Sequence, residues 1–551
     1  MPTAEQSRVC LKCSAHGLTF ERPYSSLTLS RVILTVPSGL SARTYVRSPP
    51  LTAAFLALLS SHAVASDWLQ FGFDPSHKSN NSEETIIDAA NVNTLVQLYS
   101  VALPSSGDGA PVYLSGASTP TGTKDLLFVT SFDGHIFSID ASNGSILWSK
   151  QPAPSPYAGN TSSTPAIDPD RQFVYSYGLD GKIHKFAVGD GTEVVSPQWP
   201  VVSTLKPSVE HSASALAIGT PVGGPNYLYA VTNGYLGDAG DYQGHVTTID
   251  LTTGSSKVFN ANCSKLAIHF VADGTTGVDD CSTPRSGIWG RSGAVYDAGT
   301  NRMYVTSANG NYNANVGGYN WGDTVLALPP SGGGDTLGDP IDSYTPTNFL
   351  DLDLGDADLG SGSLAILPTP ATSKFSHLGV VMGKDGIVRL LNLDDMSGSH
   401  GPRFVGGELQ ALSVGTSEAT AQPAVWVNTH GDLSTWIFVA PSDNLRALKL
   451  TFDAFGTPSL IQQWTALVYT QAVSPIIAND VLYAVNNAPL GGLQAFDPTS
   501  GSILWSASPF VRCCGWGQPI VINGRLYVLG GYNPTTLTVF ALDSIFKDRF
   551  E

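Results

Sequence analysis

The chain has 551 residues, 42% hydrophobic and only 13% charged, with 57 Gly, 36 Pro and a formal charge of −17. Its apolar and aromatic content can bury a large core, which excludes a disordered chain. The acidic balance excludes a nucleic-acid partner, because phosphate binding needs clustered Lys and Arg. Low charge with abundant turn formers points to many short strands rather than long exposed helices.

Residues 1–65 differ from the rest. Six basic side chains (Arg8, Lys12, Arg22, Arg31, Arg43, Arg47) stand against two acidic ones, Glu5 and Glu21. A short apolar run, Leu51 to Leu59, then leads to Ala63-Val64-Ala65. Basic flank, short apolar core and a small-x-small ending read as a secretory signal cleaved after Ala65. The run falls short of the ~20 residues that cross a bilayer, so no membrane span is expected. The mature chain is then 66–551, exported to a periplasm or secreted. Its first residues, Asp67-Trp68-Leu69-Gln70-Phe71-Gly72, precede any complete repeat and are expected to supply the strand that closes a ring.

From about residue 110 to 543 one pattern recurs: an apolar strand, a tight turn, an alternating strand, and often Asp, a Gly turn and Trp. Leu127–Asp140 and Val174–Ala187 are clear copies, each with Asp-Gly between two β-rich runs. Asp-Gly there signals a hairpin, because a type I′ turn needs positive φ. Eight such units are counted, with turns at Asp133-Gly134, Asp180-Gly181, 234–244, 310–322, Asp385-Gly386, Asp443-Asn444, Gly491-Gly492 and Asn533-Pro534. Gly-Ser-Ile-Leu-Trp-Ser ends two of them, at 144–149 and 501–506. A repeat of this length with four short strands means an all-β, single-domain, eight-bladed β-propeller.

In a propeller the loop between the second and third strands opens on the same face as the link to the next blade. The long insertions 235–243, 263–287, 311–322 and 332–360 are therefore expected to roof one end of the central channel, where a flat ligand could sit. Cys263 and Cys281 close a loop in one of them and are expected to form a disulfide. Adjacent Cys513 and Cys514 read as two thiols or as a vicinal disulfide. No GxSxG elbow, HExxH, P-loop or haem-attachment CxxCH is present.

Several local motifs resemble the pyrroloquinoline-quinone (PQQ) dehydrogenases, the methanol and alcohol dehydrogenases built on eight-bladed propellers. The opening 67–72 and Asn91-Val92-Asn93-Thr94-Leu95 are similar to that family's start. Ile288-Trp289-Gly290, Tyr296-Asp297 and Met303–Gly310 resemble the stretch that carries the tryptophan under the quinone and a metal-binding asparagine. The resemblance implies that Trp289 stacks on PQQ and that Asn309 ligates calcium. Gly383-Lys384-Asp385-Gly386 resembles the turn whose basic residue meets the quinone oxygens, which implies that role for Lys384. Asp356-Ala357-Asp358-Leu359-Gly360 matches the place of the catalytic aspartate, and Asp358 fits it best. Asp108 matches an acidic quinone contact. Each of the four central residues also has a structural reading: Trp289 in the core, Asn309 and Lys384 in turns, Asp358 as a cap.

The chain departs from the family pattern at several points. The spacing of the acidic metal ligand lands on Ala239, so Asp238 or Asp241 would substitute. The vicinal cysteines precede the eighth unit instead of the second, although Cys513 and Cys514 still fall on the same face. Position 360 is Gly, without the extra carboxylate of lanthanide-using relatives, which implies calcium. The implied function is oxidation of an alcohol or polyol by a calcium-assisted quinone, with Asp358 as base and a separate electron acceptor. The competing expectation is a non-enzymatic propeller that binds a protein or a glycan, as in scaffolds that assemble outer-membrane proteins.

Overall fold

The computed structural model describes residues 65–107, 109–152, 159–271, 281–415, 420–468, 473–486, 492–507, 517–530 and 535–543. They form eight propeller blades of four antiparallel strands, and in the blade at 476–506 the short strand Asn80–Asn81 adds a fifth, parallel to Ile476–Ala478. Seven blades are continuous in sequence, spanning 112–150, 166–202, 217–260, 295–344, 365–413, 424–466 and 476–506. The eighth joins 520–542 to the strand Leu95–Ala102, which pairs antiparallel with Thr536–Leu542. Among the described residues the only α-helix is Phe349–Leu354.

Each blade is covered on both faces by its neighbours, so its central strands are largely buried. Leu126, Leu127, Phe128 and Val129 are consecutive and all fully buried, whereas in the outer strand Leu95–Ala102 only Leu95 is buried and the rest are partly or well exposed. The recurring Trp joins blades. Trp148 Nε1 donates to Val188 O at 3.1 Å, Trp464 Nε1 to Pro498 O at 3.0 Å and Trp505 Nε1 to Leu95 O at 3.1 Å. A buried indole N–H needs such an acceptor, and the next blade supplies it.

Ring closure differs from the expectation. Leu95–Ala102 is the closing strand, and Asp67–Gly72 is not. Trp68, Gln70 and Phe71 are all buried, a pattern that no half-exposed outer strand can accept. The segment instead runs along the inner strands and ties them together. Trp68 bridges Tyr113, Ile167 N donates to Leu69 O, and Ile218 N donates to Gln70 Oε1. Farther along, Tyr296 N donates to Pro75 O, Val425 N to Lys78 O and Ile477 N to Ser79 O. Gly72 N donates to Gln518 Oε1 beside the eighth blade.

The six predicted turns from Asp133-Gly134 to Asp443-Asn444 each join the second and third strands of a blade. Gly491 and Asn533-Pro534 lie outside the described residues. The stretch 332–360 is not one insertion, because Asp342–Tyr344 is the outer strand of the fourth blade. The disulfide Cys263–Cys281 is present, with the Cα atoms 5.9 Å apart. Around it, Cys263 N donates to Asn320 Oδ1 and Gln243 Nε2 to Cys281 O, stapling the loops of the third and fourth blades.

Candidate functional site

Propeller topology brings residues from distant positions to one end of the channel. Lys384 lies in the second-to-third-strand loop of the fifth blade, between Leu378–Met382 and Ile387–Asn392. Its position is set from below: Arg389, buried, holds Asp385 through two bonds of 2.6 Å. Asn309 occupies the equivalent loop of the fourth blade. Asp356 and Asp358 lie in the link between these blades, just before the 3-10 turn Leu359–Ser361. Trp289 comes from the link that enters the fourth blade.

These residues meet. The buried Lys384 ammonium forms an ion pair with the Asp358 carboxylate, lies 3.6 Å from Asp356 Oδ1 and donates to Asp356 O at 3.0 Å. It also stands 5.5 Å from the centroid of the half-buried Trp289 ring. The Asn309 N–H donates to Asp358 Oδ1 at 3.1 Å, and Asn309 Nδ2 donates to Asp356 Oδ1 at 3.1 Å. Burial raises the Asp358 carboxyl above its ordinary range, and the Lys384 charge opposes that rise. Asp323 is pushed well above the usual carboxylate range, first by burial and then by the charges of Asp358 and Asp353.

Four of the expected residues therefore form one cluster: Trp289, Asn309, Asp358 and Lys384. Asp238 and Asp241 are engaged elsewhere. Asp238 Oδ1 accepts the Tyr242 hydroxyl at 2.6 Å, and Asp241 Oδ2 lies 3.0 Å from Lys206 Nζ. Among the described residues no three Asp, Glu, His or Cys side chains form a cation cage. Asp108, Cys513 and Cys514 lie outside the described residues. Sequence reasoning missed Asp356 and Asp323. Asp356 was visible as the partner of Asp358 at i−2, whereas no local signal marks Asp323.

Trp289 offers a flat aromatic face and Lys384 a positive charge beside it. With Asn309 Nδ2 held by Asp356, the amide is oriented and its Oδ1 has no hydrogen-bond partner among the described residues. Asn309 Oδ1 and the Asp356 and Asp358 carboxylates are hard oxygen donors, the type that calcium takes.

No curated protein matches the chain in sequence. A family model described as outer membrane protein assembly factor BamB matches residues 97–276. Among solved structures, a europium-containing methanol dehydrogenase superposes with a TM-score of 0.60 at 15% identity, covering 86% of this chain and 98% of that one. The quinohemoprotein alcohol dehydrogenase of Comamonas testosteroni gives 0.57 at 16% identity, over 88% and 81%. ADHIIG of Pseudomonas putida HK5 gives 0.58 at 13%, over 86% and 80%. The fold is that of the quinoprotein alcohol dehydrogenases. No described helix is long and apolar enough to cross a membrane.

Proposed function

We propose that this propeller is an exported quinoprotein dehydrogenase that binds PQQ with calcium and oxidises an alcohol or polyol. One observation carries the reading: the buried Lys384 ammonium stands between the Asp358 carboxylate and the Trp289 ring, a combination that a scaffold has no reason to keep at its channel mouth. Trp289 would provide the floor for the quinone ring, and Lys384 would hold the negative charge developing on a quinone oxygen. Asn309 and Asp358, with Asp356, would hold the cation. Bound there, the quinone would supply the two-electron acceptor and calcium the polarisation of its carbonyl.

On this reading Asp358 would take the hydroxyl proton of the substrate on a carboxylate oxygen. Its raised proton affinity would favour that transfer, and the Lys384 charge opposes the rise. The Asn309 N–H orients Oδ1 and leaves Oδ2 facing the lysine. Electrons would pass to a separate acceptor, because the chain has no haem-attachment motif. The match of residues 97–276 to BamB favours a second reading, a non-enzymatic scaffold for a protein or glycan.

The two readings separate on adding PQQ and Ca²⁺ to purified residues 66–551. Saturation near 100 Kd should raise stability by about 2.7 kcal/mol and give a bound quinone absorbance, both lost with a chelator, in Asp358→Ala or in Lys384→Ala. No absorbance change and no thermal shift would sink the enzyme reading and leave the scaffold.

A further inference from the structure

Asp323 lies outside the expected site yet joins its two halves. It closes the second-to-third-strand loop of the fourth blade, two residues before the strand Val325–Leu328. Its N–H donates to Ala308 O at 2.9 Å, one residue before Asn309. Its Oδ1 accepts the Leu359 N–H at 2.7 Å, one residue after Asp358. Two features of Asp323 are unfavourable by themselves. Its φ of +47° is left-handed, and its buried Oδ2 has no hydrogen-bond partner among the described residues. Such features persist where the surroundings over-determine them, and they gather at functional sites.

The arrangement explains why a carboxylate stands there. The Asp358 carboxylate is held through its own oxygens, by the Asn309 N–H and by Lys384. Those contacts must change when the carboxylate takes up a proton or turns toward a ligand. The Asp323–Leu359 bond grips the backbone of the same turn instead, so the turn can stay in place while the carboxylate changes partners.

We propose that Asp323 is a positioning residue that anchors the Asp358–Leu359 turn against Asn309 independently of the reactive carboxylate. What Asp358 is held in place to do rests on the quinone reading; the anchoring does not. Asp323→Asn keeps an acceptor oxygen for Leu359, whereas Asp323→Ala removes it.

Amide hydrogen exchange of the unliganded full chain reads the anchor directly. Loss of one such bond should speed exchange at Leu359 and Asn309 about tenfold in Asp323→Ala, while Asp323→Asn matches wild type and the strands of the fifth blade are unchanged in both. The PQQ and Ca²⁺ titration should weaken in the same order, with Asn restoring what Ala loses. Unchanged exchange in a folded Asp323→Ala overturns the anchor. If that variant does not fold, Asp323→Ser, whose side chain is too short to reach Leu359, takes its place with the same expected acceleration. Faster exchange in folded Asp323→Asn also overturns the anchor. A wild type that takes up no quinone, alongside an Ala variant that loses protection, would sink the oxidation reading and leave the anchor standing.

Discussion

Gly360 lies so close to Ala308 that a Cβ on residue 360 would stand 2.5 Å from the Ala308 nitrogen and 2.7 Å from the Ser307 carbonyl carbon. This contact presses the Asp358 turn onto the loop of Asn309. Overpacking against backbone costs about 1–3 kcal/mol, so Gly360→Ala should lower the thermal midpoint and loosen the Asn309–Asp358 bond. Gly360→Asp puts a larger side chain against the same backbone and should destabilise the site further in the same measurement.

Breaking the Lys384–Asp358 pair from one side should be harsher than removing both charges. Lys384→Met leaves a buried carboxylate uncompensated and should cost about 3–5 kcal/mol in denaturant unfolding. Without the lysine, Asp358 binds its proton more tightly in the folded chain than in the unfolded one. The fold then keeps most stability at low pH and loses it as pH rises through the folded value. The deficit should be larger at pH 8 than at pH 5, and Lys384→Met/Asp358→Asn should recover much of it.

Glu210 supplies a separate pH test. It is buried, accepts the Thr204 hydroxyl and the Gln243 N–H, and burial raises it from 4.5 to about 7. Because the folded value is the higher one, the proton's contribution is complete below about pH 4.5 and is lost as pH rises to about 7. Relative to wild type, Glu210→Gln should gain about 3 kcal/mol between those limits, read as a widening difference in thermal midpoint. A difference that does not change with pH would contradict the assignment.

The disulfide joins Cys263 and Cys281 at a sequence separation of 18. Loop-closure entropy for such a span is about 3 kcal/mol, so Cys263→Ala/Cys281→Ala should lower stability by about that much. The loops it staples lead to Trp289 and Asn309, so the variant should also take up less quinone in the same titration.

Trp68 is fully buried against the first and eighth blades. Trp68→Ala should cost about 3–5 kcal/mol, more than an outer-strand residue would. Val96→Ala in the closing strand, at 39% exposure, should barely move the midpoint.

The candidate site residues were singled out by the resemblance to the PQQ dehydrogenases, and local turn signatures gave two of them a place in the fold but no role. Lys384 follows Gly383 and precedes Asp385-Gly386, and Asn309 precedes Gly310, so hairpin chemistry alone put both at loop tips. Alternation of strand direction then placed the tips on one face. The partners of Asp238 and Asp241 were not legible, because spacing reaches the loop but does not say that Tyr242 and Lys206 contact its carboxylates. The closing strand was misassigned for a related reason. Asp67–Gly72 is apolar enough for a strand, but three of its side chains need full burial, and only the inner edges of the blades provide it.

The sequence by itself determined the all-β class, the eight repeats, six of the turn positions and the Cys263–Cys281 pairing, because hairpin turns, period-2 alternation and disulfide reach are local properties. Tertiary structure alone decided that Leu95–Ala102 closes the ring, that Lys384 meets Asp358 and Trp289, and that Asp323 grips Leu359. Those contacts join chain segments from separate blades, and their partners are chosen by burial and hydrogen-bond satisfaction across the whole ring.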